Sequence, residues 1–203
     1  MSLGPVRPRS RELTAILACG CFWGVQQSFS RVRGVRKVEC GYTGGHIQYP
    51  SYRSVCSGVT GHLEAVRISY DPKVTTYRAL LDEFWRLHDP TVDHCPPEKR
   101  LADGVARGVA SDAPDQSVVG QYTDFVAATP GGDVGLQYQS AIFVFDEEQH
   151  ATAEQSKEAR QRWYARPILT QIRPASKFWI AEDEHQDHVQ KIVDLYDTFL
   201  NRG

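Results

Sequence analysis

The chain has 203 residues, a formal net charge of -2 and 41% hydrophobic residues. That is enough for one well-buried core over 1–203 with no demand for a second domain, and the near-neutral balance argues against a nucleic-acid surface. No apolar run is long enough to span a membrane, and five cysteines at irregular spacing do not read as a secreted disulfide framework. A reducing, cytoplasmic compartment with functional thiols fits better. Residues 1–12 hold Arg7, Arg9 and Arg11 with no acid before Glu12, and contain Pro5 and Pro8. They read as a flexible arm, with a short mitochondrial targeting segment as the alternative.

The first strand is expected over 13–19 and the first helix over 22–31, stopped by Gly34. A second strand follows over 35–42. Its alternation is imperfect, so its facing stays open, and Thr43-Gly44-Gly45 ends it. Residues 46–60 are polar and aperiodic and read as a loop. The third strand, 62–70, sets Leu63, Ala65 and Arg67 opposite Glu64, Val66 and Ile68. A helix from Thr75 or Thr76 carries Tyr77, Leu80, Leu81, Phe84, Trp85 and His88 on one side, and Asp89-Pro90 stops it. Residues 91–132 lose periodicity and read as a long insertion.

A fourth strand is expected over 139–145, then a helix over 147–164 capped by Asp146. Two short strands, 167–173 and 177–181, read as a hairpin, and 182–201 as a final helix. The order strand, helix, strand, strand, helix, strand predicts an α+β fold. It is a split βαβ (ferredoxin-like) two-layer core with extra strands, a long insertion and a C-terminal helix.

The stretch Gly20-Cys21-Phe22-Trp23-Gly24 falls where the first strand turns into the first helix. The first N–H groups of a helix have no partner within it, and the dipole places partial positive charge there. A thiolate at that point is stabilised and more nucleophilic. Gly20 and Gly24 allow a tight turn and close approach, and Phe22 and Trp23 can wall an apolar slot beside the sulfur. A small buried cysteine packed by aromatics is the plainer reading of such a residue.

This stretch resembles the signature of the type A peptide methionine sulfoxide reductases, the MsrA family. The resemblance continues in order through Gly41-Tyr42-Thr43-Gly44-Gly45, Tyr52-Arg53-Ser54-Val55-Cys56-Ser57-Gly58 and Thr60-Gly61-His62-Leu63-Glu64-Ala65-Val66. It goes on through Phe84-Trp85-Arg86-Leu87-His88-Asp89-Pro90, Gln137-Tyr138-Gln139-Ser140-Ala141-Ile142 and Ala181-Glu182-Asp183-Glu184-His185-Gln186. The insertion departs from the family's shorter connection. So does Asp133-Val134-Gly135, where the family usually has Asp-His-Gly.

The resemblance implies reduction of the S epimer of methionine sulfoxide, free or in proteins. Cys21 would attack the sulfoxide sulfur, and an acid must protonate the oxygen because oxide is a poor leaving group. Glu64 matches the family's catalytic acid, and burial would help keep its proton at neutral pH. Tyr42 and Tyr138 match residues that hold the oxygen, and Asp133 the acidic residue five positions before Tyr138. Phe22 and Trp23 would receive the methyl group. No bound cofactor and no metal is expected. Reducing equivalents would come from thioredoxin or a small dithiol.

The oxidised Cys21 would be a sulfenic acid, which condenses with a second thiol. Many family members keep recycling cysteines in a C-terminal tail, whereas no cysteine follows Cys95 here. Cys56 is the first candidate and Cys95 the second. Cys19 is too near Cys21 along a strand to bridge it without strain, and Cys40 reads as a buried strand residue. Direct reduction from outside is the alternative. His185 and His188 with Glu182 and Asp183 read as a capped, solvated face rather than a metal site. Arg31, Arg33, Arg36 and Lys37 read as an exposed basic face. A sulfoxide-binding redox-signalling module with weak turnover, and a thiol peroxidase, are the competing functions.

Overall fold

The computed structural model describes residues 12–94 and 135–200. Cys95, Asp133, nearly all of the N-terminal arm and the insertion beyond His94 lie outside the described residues. In chain order the elements are β1 (Leu13–Ala18), α1 (Phe22–Ser30), β2 (Val35–Thr43), α2 (Tyr52–Cys56), β3 (Leu63–Tyr70) and α3 (Tyr77–Phe84). After the insertion come a 3-10 turn (Leu136–Tyr138), β4 (Ala141–Val144), α4 (Glu147–Gln161), β5 (Gln171–Pro174) and β6 (Trp179–Ile180). A second 3-10 turn (Asp183–His185) leads to α5 (His188–Leu200).

The strands form one six-stranded sheet in the order β5-β4-β1-β3-β2-β6. Its centre, β4-β1-β3-β2, is antiparallel throughout, with β3 splitting the β1-α1-β2 unit and β1 splitting β3-α3-β4. The α+β, split βαβ expectation is therefore met. The expected hairpin is not. β5 pairs in parallel with β4 at one edge, while β6 pairs antiparallel with β2 at the other. The segment Ala175–Phe178 between them crosses the sheet, because its apolar side chains cover Ile16, Ala18, Leu63, Ala65, Ala141 and Phe143 on the face away from α1.

On the opposite face α1 buries Phe22, Val25 and Phe29 against Leu17, Val66 and Ile68, together with Leu80, Leu81 and Phe84 of α3. Each such side chain contributes about 1.5–3 kcal/mol of burial. The irregular alternation of β2 has a local cause. A bulge between Val35 and Lys37 adds a residue, so Val35 and Val38 both reach this core.

Two helix expectations need correction. Residues 46–60 contain α2, which starts at a capping box where Ser51 and Ser54 bond reciprocally. Five residues are too short to show periodicity. The final helix begins only at His188, because Asp187 takes a positive φ of 52° and Gln186 is extended. Thr76 and Asp146 cap α3 and α4 through Ala79 N–H and Gln149 N–H. The chain leaves for the insertion at His94 and returns at Gly135, whose N–H donates to the His94 carbonyl at 2.9 Å.

Candidate active site

Cys21 is the N-cap of α1, half-buried, and Gly20 turns the chain into it at φ +92°. Gly24, by contrast, sits within α1, so only one of the bracketing glycines serves the turn. The next amide, Phe22 N–H, donates to Glu64 Oε2 at 3.2 Å. Glu64 is 1% exposed, and a carboxyl so far from water is costly to ionise. The helix start thus brings Cys21 and Glu64 together, although they are 43 positions apart.

Tyr42 stands opposite Glu64 in the β2–β3 register and is fully buried. Its hydroxyl donates to Glu182 Oε2 at 2.7 Å, while Tyr52 N–H donates to Glu182 Oε1 at 2.9 Å. One carboxylate therefore joins β2, the start of α2 and the turn after β6. Burial alone would raise the Glu182 pKa, but these hydrogen bonds outweigh it and hold the group below the usual carboxylate range. Burial pushes the Tyr42, Tyr52 and Tyr138 phenols well above theirs. All three remain protonated donors at neutral pH. The 3-10 turn after Gly135 carries Tyr138 back beside β3 and α2.

His185 is the residue that sequence reasoning misplaced most. It is 6% exposed, not solvated. Its ring lies 5.5 Å from Phe22, 5.8 Å from Trp23 and 4.4 Å from Tyr52. Trp23 Nε1–H donates to its Nδ1 at 3.2 Å, so the imidazole holds the indole in place. His188 stacks on Trp23 at 3.8 Å and 16°. The aromatic wall therefore has more members than Phe22 and Trp23.

Gln186 completes the clamp. Its side chain accepts from Cys40 N–H at 2.9 Å and donates to the Cys40 carbonyl at 3.0 Å, as a missing strand would. The signal for Glu182, His185 and Gln186 lay in the last motif block, and for Tyr52 in the third. Their local sequence says nothing of what they touch.

Among the thiols, Cys19 and Cys40 are buried and burial drives their pKa far upward, which leaves them inert. Cys56, at the end of α2, is exposed. Among the described residues no group of three or more His, Cys, Asp or Glu is arranged to hold a metal ion, and no helix is long and apolar enough to cross a membrane. The basic face is partly neutralised, Arg36 by Asp71 and Lys37 by Glu39. A cavity of about 450 Å³ lies between α1, β2 and the Asp183–Asp187 turn, lined in part by Gln26, Ser30, Lys37, Glu39 and Ile180. Gln186 also lines it, but Cys21, Glu64 and the three phenols do not.

Cys21 at a helix start thus lies near a buried carboxyl, three phenols and an aromatic wall, in a chain that resembles known proteins over most of its length. The family model described as peptide methionine sulfoxide reductase matches residues 13–96 and 122–201. Peptide methionine sulfoxide reductase MsrA of Methanosarcina acetivorans is 40% identical over 179 residues, 87% of this chain and 77% of that protein. The reduced form of Mxr1 from Saccharomyces cerevisiae superposes with a TM-score of 0.68 at 29% identity, over 92% of this chain and 88% of that one. Methionine sulfoxide reductase A of Corynebacterium diphtheriae gives 0.64 at 26% identity, over 93% and 78%. With the family model and these relatives matching over most of its length, the chain belongs to the peptide methionine sulfoxide reductase family.

Proposed function

We propose that this protein reduces the S epimer of methionine sulfoxide, free or within polypeptides, by thiol chemistry at Cys21. The observation that carries the reading is the Phe22 N–H to Glu64 bond, which sets a buried acid beside the sulfur at a helix start. The Cys21 thiolate attacks the sulfoxide sulfur while Glu64 gives a proton to the oxygen. A bond forms from Cys21 to the substrate sulfur and the protonated oxygen leaves as hydroxide. Hydroxide then adds to the Cys21 sulfur, the sulfur–sulfur bond breaks, methionine departs as the thioether, and Cys21 is left as a sulfenic acid. The two electrons come from the cysteine sulfur.

Tyr138 and Tyr42 hold the oxygen as charge builds on it. Tyr42 turns its hydroxyl from Glu182 to do so, and Asp133 assists from the chain leading to Tyr138. Phe22 and Trp23 take the methyl group, and the handed wall selects the epimer.

Cys56 then attacks the sulfenic sulfur, giving a disulfide and water. Its exposure supports this role, and Tyr52 is near enough to interact electrostatically with both sulfurs. Cys95 and a direct external reductant are the alternative routes. A dithiol of the thioredoxin class restores both thiols. Mxr1 has been solved in complex with Trx2, which supports that choice. A reducing compartment such as the cytoplasm suits the cycle.

The test is single turnover on separated epimers without added reductant, followed by thiol counting and disulfide mapping. Methionine from the S epimer, with Cys21 and Cys56 lost together, is expected. Loss of Cys21 with Cys95 would move the resolving role, and loss of Cys21 alone would assign recycling to the outside reductant. No methionine from either epimer, with the protein folded and Cys21 reduced, would sink the reductase reading and favour a binding module.

A further inference from the structure

An exposed tyrosine packed against a half-buried tryptophan adjoins the site and takes no part in the chemistry above. Tyr49 is 79% exposed, and its ring lies 4.7 Å from that of Trp179. The Lys177 ammonium sits 3.8 Å from the Trp179 ring centre and 5.5 Å from that of Tyr49. Tyr49 also holds a φ of +53°, a conformation that glycine and asparagine adopt far more readily than an aromatic residue. A strained residue whose large apolar side chain faces water is a poor choice for stability alone.

The register places this pair relative to the reacting atoms. Glu64, Tyr42 and Trp179 are successive cross-strand partners on β3, β2 and β6. Directly opposed residues share a face, so Trp179 continues the row that begins at the catalytic carboxyl. It packs against the same core as Tyr42. Two strand spacings put it about 10 Å from Glu64, the reach of about three residues of extended chain. Glu182 ties both ends of the patch to the site, through Tyr42 beside Trp179 and Tyr52 three positions after Tyr49.

We propose that Tyr49, Trp179 and Lys177 form a docking surface for the polypeptide that carries the oxidised methionine. It takes an extended segment, with an aromatic or large aliphatic side chain about three residues from the sulfoxide stacking on the rings. A nearby carboxylate of that segment pairs with Lys177. The proposal rests on the reductase reading and narrows its substrate class to unfolded polypeptide in preference to the free amino acid.

The test compares N-acetyl-methionine sulfoxide with S-epimer peptides bearing one, three or five residues on either side, using the full chain and Tyr49→Asn. Asparagine tolerates the positive φ, so the variant keeps its fold, which thermal melting checks. In the unsubstituted protein KM should fall as the flank grows to about three residues and then level off. Tyr49→Asn should raise KM for the longer peptides about five- to tenfold, the scale of one lost aromatic contact, with kcat unchanged. N-acetyl-methionine sulfoxide should not respond. Lys177→Glu should weaken peptides with acidic flanks and spare those with basic ones.

Equal peptide KM in both proteins, or the same change on both substrates, would overturn the docking proposal. If neither substrate turns over, the reductase reading fails on its own. Tryptophan fluorescence titrated with the unoxidised peptide then decides docking directly. Binding weakened by Tyr49→Asn supports the surface, and equal binding refutes it.

Discussion

The turn that carries Cys21 and the turn that carries Glu182 meet at one site but are held in opposite ways. Cys21 is placed by its neighbours. β1 leads in, Gly20 turns at positive φ, and α1 starts immediately after. The Glu182–Gln186 turn is short and is fixed by remote partners instead: Tyr42, Tyr52, Cys40, Trp23 and Gln26. Local geometry sets Cys21, and long-range hydrogen bonds set the Glu182–Gln186 turn. Changes to the first turn should therefore act on chemistry and leave stability alone, while changes to the second should act on both.

The largest effect is expected from the chemical pair. Glu64→Gln removes the proton donor but keeps an acceptor for Phe22 N–H. Single-turnover kcat should fall about 10²–10⁴-fold with little change in melting temperature. A loss under fivefold would remove Glu64 from the mechanism. Next comes Glu182→Ala, which releases Tyr42 hydroxyl and Tyr52 N–H together. Denaturant titration should show a loss of about 1–3 kcal/mol, and kcat/KM should drop with it. If activity falls while stability holds, the clamp is catalytic rather than positional and the contrast between the turns breaks down.

Gln186→Ala should separate the two effects further. Cys40 N–H and the Ala181 carbonyl lose their Gln186 partner, at a cost of about 1–3 kcal/mol, while the Cys40 carbonyl keeps Ala181 N–H. Peptide hydrogen exchange at Cys40 should quicken before global unfolding does.

The pH dependence gives the most diffuse effect. Burial drives the His88 pKa down to about 4, despite the Phe84 carbonyl that favours its charged form. The ring bonds Ser140 on its other side at 2.7 Å, with Asp89, His94 and Arg160 as the charged neighbours that act on it. Since its unfolded value is near 6.5, the unfolded chain takes up the proton first. The stability from neutral His88 is complete above about pH 6.5 and is lost as pH falls towards 4, by no more than about 3 kcal/mol. Glu182, held low, adds its own loss only as pH falls below the ordinary carboxylate range. Chemical denaturation at several pH values should show this slope, flattened in His88→Gln. Equal slopes in both proteins would refute it.

Much of the site was legible where chemistry coincides with local structure. The strand–glycine–cysteine–aromatic sequence marks a helix start, and β3 alternation puts Glu64 on the face of Val66 and Ile68. Tyr52, His185 and Gln186 were not legible as site residues. A histidine directly after a run of three acids looks solvated, and nothing nearby predicts that Trp23 will donate to it. The expected hairpin of 167–173 and 177–181 failed for a related reason. Sequence proximity favours pairing between neighbours, but both strands found longer-range partners at opposite edges of the sheet.

The sequence alone determined the elements with strong periodicity, the capped helix starts and the placing of Cys21 at a strand-to-helix turn, because these follow from backbone sterics and nearest-neighbour patterning. Tertiary structure decided which edge each late strand joins, which thiols are buried, and how Glu182, His185 and Gln186 close around Cys21. Those outcomes depend on hydrogen bonds between groups more than a hundred residues apart, whose partners are chosen only when the sheet and its covering helix are in place.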